Sequence, residues 1–226
     1  MKSYKYVDIK FTLSILLVIS IVANIYYFVI NRSYRYESEK YAYTAITDIR
    51  DKNEINYNII NKGIQAGFIS NTNLLRLYKN YESIDSDLVL LGKQYSEHVK
   101  ESIPFFYKKI DKVKVFDKLE YDNITEYILS NLNETMETEE KGLTLGSNET
   151  YYADVLSKMA TELKTYFEDF DNKYLQNIPA EKREKIIINK HYWIDMINGM
   201  SNINEKYGNV EWKLKEEINK EESSEK

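Results

Sequence analysis

The strongest hydropathy pattern in the chain is an uncharged, mostly apolar run over residues 11–30. A helix of that length extends about 30 Å, which matches the hydrocarbon thickness of a bilayer. The run is longer than the roughly 7–15 apolar residues of a signal-peptide core, and no cleavage motif of small residues follows it. We therefore predict a transmembrane signal-anchor helix over 11–30, preceded by a short N-terminal tail over 1–10.

Beyond this span, apolar residues recur at alternating steps of three and four, as on one face of an α-helix. Two stretches form heptad seams of the kind found in helical bundles and coiled coils. The first seam comprises Leu74, Leu77, Tyr81, Ile84, Leu88, Leu91, Tyr95 and His98. The second comprises Tyr152, Leu156, Met159, Leu163, Tyr166, Phe170 and Tyr174.

Weaker periodic segments complete the pattern, and the few glycines and prolines mark the breaks between them. The segment over about 31–62 is predicted to continue the membrane helix, and a final helix is predicted to open at Pro179 and stop at Gly208. The remaining apolar positions are Ala42, Ala45, Ile46 and Ile49; Ile103, Phe106, Ile110 and Val113; Ile124, Ile128 and Leu132; and Trp193, Ile197, Met200, Ile203 and Tyr207.

These segments together predict an all-α fold, with one N-terminal transmembrane helix followed by an antiparallel bundle of four or five helices. The helical domain would cover residues 31–207, and residues 208–226 would form a charged C-terminal tail with a possible short helix. No segment has a sustained strand pattern.

Basic residues near the span indicate its orientation. Lys2, Lys5, Lys10 and the α-amine precede it, and Arg32, Arg35 and Lys40 follow it within fifteen residues, so the bias is small. Cytoplasmic flanks carry the excess of lysine and arginine. We therefore expect a single-pass protein of the cell membrane, with a cytoplasmic N-terminus and an extracytoplasmic domain.

Polar and small residues share one face of the predicted span. Ser20, Ala23, Asn24 and Tyr27 fall together at helical spacing. Small residues let membrane helices approach, and an asparagine amide in hydrocarbon favours a hydrogen-bonding partner. These four residues are the candidate partner face, for self-association or for another protein's helix; the alternative is an asparagine tolerated near the end of the span.

Composition excludes several kinds of chemistry. The chain has no cysteine, so disulfides, thiolate metal ligands and cysteine nucleophiles are absent. Its net charge of −5 argues against nucleic acid as a partner. Heavy use of Tyr, Ile, Asn and Lys is typical of proteins from AT-rich bacterial genomes.

The two histidines are the main candidates for site chemistry. His98 ends the first seam and is interpreted as a polar residue tolerated at a helix end. His191 and Asp195 have the i, i+4 spacing that can place two metal ligands on one helix face. Two ligands do not complete a site, and neither a phosphate-binding loop nor a nucleophile elbow is present. The sequence therefore predicts no catalytic residue, no cofactor and no metal.

The first residues of the span resemble the start of type IV pilins and pseudopilins. Residues 11–19 read FTLSILLVI, and those proteins begin with Phe-Thr-Leu on a helix that continues past the membrane. The chain departs from the family pattern at Lys10, where the family has glycine, and at Ile15, where it usually has glutamate. The first departure removes the glycine at which the family's precursors are cleaved, and the second removes the negative charge that the family carries near the start of the helix.

The sequence thus favours a non-enzymatic membrane-anchored interaction domain, such as an accessory or scaffold subunit of a bacterial cell-envelope complex. An extracytoplasmic small-molecule sensor that signals through a partner's transmembrane helix is the principal alternative. A wall-polymer enzyme and a pseudopilin-like subunit are the others.

Overall fold

The computed structural model describes residues 9–101 and 119–213. Within these ranges the chain is all-α, as predicted, and contains six helices and two short strands. In chain order they are α1 (Ile9–Ala66), β1 (Phe68–Ser70), α2 (Asn71–Glu101), α3 (Leu119–Glu137), β2 (Gly142–Thr144), α4 (Ser147–Tyr174), α5 (Ala180–Asn189) and α6 (Tyr192–Asn204).

Helix α1 is a single uninterrupted helix of 58 residues, about 87 Å long at 1.5 Å per residue. Its N-terminal part is long and apolar enough to cross a membrane, and none of its apolar window is buried by the rest of the described chain. The predicted continuation of this helix beyond the apolar run is confirmed. The helix ends at Ala66, where Gly67 adopts a left-handed φ of +65°, a conformation that glycine adopts without steric cost.

The C-terminal half of α1 is the centre of the core. Helix α2 runs antiparallel to it, because Ser38 bonds Gln94 while Asn56 bonds Asn80. Helix α4 packs on another side of α1. The side-chain amide of Asn53 donates to the carbonyl oxygen of Ala160 at 2.9 Å across that contact.

Both predicted seams face the core. Every member is buried except Tyr95, Tyr166 and Tyr174, which are partly buried and pack against the core. Helices α3 and α6 also contribute buried apolar residues, as predicted from their periodicity. Trp212 follows α6, and its ring stacks on Tyr152 with centroids 5.2 Å apart.

A small antiparallel strand pair was not expected from the sequence. Ile69 of β1 pairs with Leu143 of β2, which joins the α1–α2 turn to the α3–α4 turn. Strands of three residues offer too few alternating positions for a period of two to be recognised.

The last predicted helix differs from the prediction, since it is divided into α5 and α6. His191 separates them with a left-handed φ of 52°, although neither glycine nor proline occurs at this break. The predicted apolar positions from Ile103 to Val113 lie outside the described residues, as does the tail beyond residue 213.

Two leucines on the same helix provide a matched test of this packing. Leu77 is 2% exposed and Leu75 is 42% exposed. We expect Leu77→Ala to lower the free energy of unfolding by about 2–5 kcal/mol, because it removes buried methyl groups and leaves a cavity. Leu75→Ala should change it by no more than about 1 kcal/mol. Urea unfolding of the full chain in detergent, followed by tryptophan fluorescence, would measure both, and equal losses would contradict this orientation of α2.

Candidate functional site

A cluster of polar side chains is buried where α1 enters the helical domain. Its centre is Glu39, which is 6% exposed and lies nine residues beyond the predicted end of the span, about 13 Å further along the helix. We call Glu39, His98, His191 and Trp193 the Glu39 cluster. They come from α1, from α2, from the α5–α6 junction and from α6.

Each carboxylate oxygen of Glu39 contacts a histidine. The Nδ1 atom of His98 lies 3.0 Å from Oε1, and the Nδ1 atom of His191 lies 2.9 Å from Oε2. The indole Nε1–H of Trp193 also donates to Oε2, at 3.3 Å. The two imidazole rings are 4.8 Å apart between centroids, so the carboxylate is enclosed by rings on several sides.

The hydrogen bonds keep Glu39 ionised. Burial by itself raises the pKa of Glu39, but the hydrogen bonds with His191 and His98 and the electrostatic interaction with the two imidazoles outweigh it, and the pKa falls to about 2. Arg35, one turn earlier on α1, places Nη2 3.8 Å from Oε1. A buried carboxylate normally requires such partners, because desolvation of a bare charge costs several kcal/mol.

Local helix geometry explains how the cluster forms. Glu39 precedes Ala42, Ile46 and Ile49 at steps of three, four and three, so it lies on the buried stripe of α1. The antiparallel pairing of α1 and α2 brings the end of the first seam, and therefore His98, to the same level. The left-handed backbone of His191 turns the chain between the end of α5 and the start of α6. Trp193 follows two residues later.

An open groove of about 850 Å³ adjoins the cluster on the side that faces the span. Glu39 and His191 form part of its wall, so the site is accessible although Glu39 itself is buried. The other lining residues are Phe28, Asn31, Arg32, Tyr34, Arg35, Tyr36, Ile188, Asn189 and Lys190.

The cluster combines the side chains that bind transition metals most often. Glu39, His98 and His191 each offer one ligand atom, and these atoms all lie within 4.8 Å of one another. Two imidazole nitrogens and a carboxylate oxygen are suitable ligands for zinc and related ions.

The structure corrects the interpretation of both histidines. His98 is 5% exposed and bonded to Glu39, rather than simply tolerated at a helix end. His191 is directed at Glu39, a residue 152 positions earlier, which the i, i+4 comparison with Asp195 did not consider. Sequence reasoning missed Glu39, although its spacing from Ala42 placed it on the buried stripe.

The candidate partner face is separate from this cluster. Ser20, Asn24 and Tyr27 are exposed on α1, and Ala23 is half-buried. Asn24 lies 15 residues before Glu39, which is about 22 Å along a straight helix. The two candidate regions are therefore distinct, one on the exposed apolar part of α1 and one further along the same helix.

Comparisons with known proteins add no family. No protein-family model, curated protein or solved structure matches this chain. The structural class of this protein therefore rests on the fold alone. It is an all-α protein with one N-terminal helix that is long and apolar enough to cross a membrane.

Two neighbouring glutamates on α1 provide a matched test of the cluster. We expect Glu39→Ala to lower the free energy of unfolding by about 2–4 kcal/mol, because it removes the carboxylate that accepts from the buried side chains of His98 and Trp193. Glu37 is exposed, and Glu37→Ala should change stability by about 0.5 kcal/mol or less. Unfolding in detergent with a chelator present would measure both. An unchanged stability of Glu39→Ala would mean that the cluster does not support the fold.

Proposed function

We propose that this chain is a single-pass membrane-anchored protein whose helical domain lies outside the cytoplasm and binds a protein partner without catalysing a reaction. It would serve as an accessory or scaffold subunit of a bacterial cell-envelope complex. The observation that carries the proposal is the continuity of α1, which is at once the apolar helix and the central helix of the domain.

Polar contacts hold the domain in a fixed position on this helix. Asn80 donates to the side-chain oxygen of Asn56 at 2.7 Å in a buried contact between α1 and α2. Arg50 of α1 forms an ion pair with Asp171 of α4 at 2.9 Å. Such contacts fix the register of α2 and α4 against α1. A partner that binds the transmembrane part of α1 would therefore also determine the position of the domain relative to the membrane.

The partner face gives the proposal a specific contact. In a bilayer the amide of Asn24 would favour a hydrogen bond from another helix, and Ala23 would allow that helix to approach closely. Lysine in the N-terminal tail supports the orientation, with the domain on the extracytoplasmic side.

The first test is topology. Because the chain has no cysteine, Asn209→Cys and Ser3→Cys each create a single label, and Asn209 is exposed. In intact bacterial cells a membrane-impermeant maleimide should label Asn209→Cys directly and Ser3→Cys only after lysis. The reverse pattern would place the domain in the cytoplasm and overturn the envelope assignment.

The second test is association. Purified from membranes in mild detergent, the wild-type chain should elute as a dimer or with a partner in stoichiometric amount. Asn24→Leu combined with Ala23→Leu should abolish the association, since it removes the amide and the close approach. Val18→Leu in the same span is the control and should retain it. A wild-type chain that elutes as a clean monomer would contradict the proposal.

A sensor function is the second candidate, and the groove beside the Glu39 cluster favours it. A small ligand in that groove would contact α1 between the span and the domain, at residues 28–39. In that case the signal would pass to a partner's transmembrane helix. A monomer whose stability rises with a small ligand would favour this candidate over the scaffold function.

A further inference from the structure

We propose that Glu39, His98 and His191 form a binding site for a divalent first-row transition-metal ion, for which zinc is the best match. This inference goes beyond the proposed function and does not depend on the topology or the partner of the chain. It rests on the convergence of three ligand side chains, two imidazoles and one carboxylate, from three distant parts of the sequence.

The donor set selects the kind of ion. Two imidazoles and one carboxylate are a recurrent three-residue zinc set, which leaves a fourth position for water or another ligand. Calcium and magnesium prefer oxygen ligands alone, so two imidazoles disfavour them. These two histidines are the only ones in the chain, and both Nδ1 atoms face the same carboxylate.

The distances place the three ligand atoms close together, although not yet at the spacing of a bound ion. Ligand atoms around a tetrahedral zinc ion lie about 3.3 Å apart, given metal–ligand bonds of about 2.0–2.1 Å. The two nitrogen–oxygen distances in the cluster are 3.0 and 2.9 Å. These contacts are made to different oxygens of Glu39, and the three ligand atoms lie within 4.8 Å of one another. An ion would replace the shared protons, and the widest pair would have to close by up to about 1.5 Å, through rotation of the imidazole rings and the carboxylate.

The surroundings resemble the outer shell of a metal site. Trp193 donates its indole N–H to Glu39, and ligating carboxylates are usually held by such outer hydrogen bonds. The side chain of His191 is 35% exposed and faces the groove, so an ion and a fourth ligand can enter there. Arg35 lies 3.8 Å from Glu39 and would oppose an ion, but its side chain is 37% exposed and can turn towards the solvent.

The backbone at His191 gives an additional argument. A positive φ is uncommon for a residue other than glycine, and the described residues contain two such positions, Glu139 and His191. Strained conformations persist where the surrounding structure holds them, often at binding sites. At His191 this conformation places an imidazole beside Glu39.

The test is zinc binding by the full chain in detergent. The protein would carry an affinity tag without histidine, be treated with EDTA and then be exchanged into chelator-free buffer. We expect titration calorimetry and elemental analysis to give one zinc ion per chain, and an equal concentration of magnesium should not displace it. Absence of stoichiometric zinc, or displacement by magnesium as expected for unspecific binding to carboxylates, would overturn the proposal.

Variants assign the ligands. His191→Asn is the principal one, because asparagine tolerates the left-handed backbone and His191 is partly exposed. We expect it to weaken zinc binding at least about 100-fold, more than the loss of an outer-shell partner. His98→Asn and Glu39→Gln should do the same. Asp195→Asn is the matched control, and its affinity should stay within about threefold of wild type.

Circular dichroism of the metal-free variants separates loss of a ligand from loss of the fold. His191→Asn should keep the wild-type helical signal while losing zinc. If it keeps both the helical signal and the zinc affinity, the cluster is only a set of structural hydrogen bonds, and the proposal fails. If Asp195→Asn loses zinc instead, the ligands are those of the i, i+4 pair, and the proposal also fails.

Discussion

One helix has to meet two different environments with a single uninterrupted ladder of backbone hydrogen bonds. In its N-terminal part α1 exposes apolar side chains on all sides, as lipid requires. In its C-terminal half it buries one stripe in a helical domain and exposes polar residues on the other faces. Because the backbone is helical throughout, the side chains alone define where the exposed apolar part ends and the protein core begins.

Glu39 stands near that boundary. Towards the apolar N-terminal part, the side chains of α1 are exposed or half-buried. Towards the C-terminal half, the stripe becomes a packed core that begins with Ala42 and Ala45. A charge at the edge of such a core is costly unless it is bonded. Its partners come from elements that are separate in the sequence, so the carboxylate also specifies how these elements meet. Asn53 and Asn56 continue the stripe with buried polar contacts of the same kind.

The features that depend on local sequence were predictable, whereas those that depend on distant contacts were not. The two heptad seams and the continuity of α1 follow from spacing, and the structure confirms them. The break at His191 carries no glycine or proline, and three-residue strands show no usable period, so both escaped prediction. The Glu39 cluster joins residues 39, 98 and 191, and only tertiary structure brings them together. A glutamate at helical spacing from Ala42 was nevertheless a signal, since a charge on a buried stripe demands partners.

The order of the elements along the chain also determines when the core can close. Glu39 is synthesised before its partners, with His98 following 59 residues later and His191 following 152 residues later. At about 5–20 residues per second, the second histidine is made roughly 8–30 s after the glutamate. Over that interval the buried stripe of α1 can be covered only by the helices already made. Completion of the domain therefore waits for the last helix to emerge, and until then Glu39 lacks the contacts that His191 and Trp193 make with it.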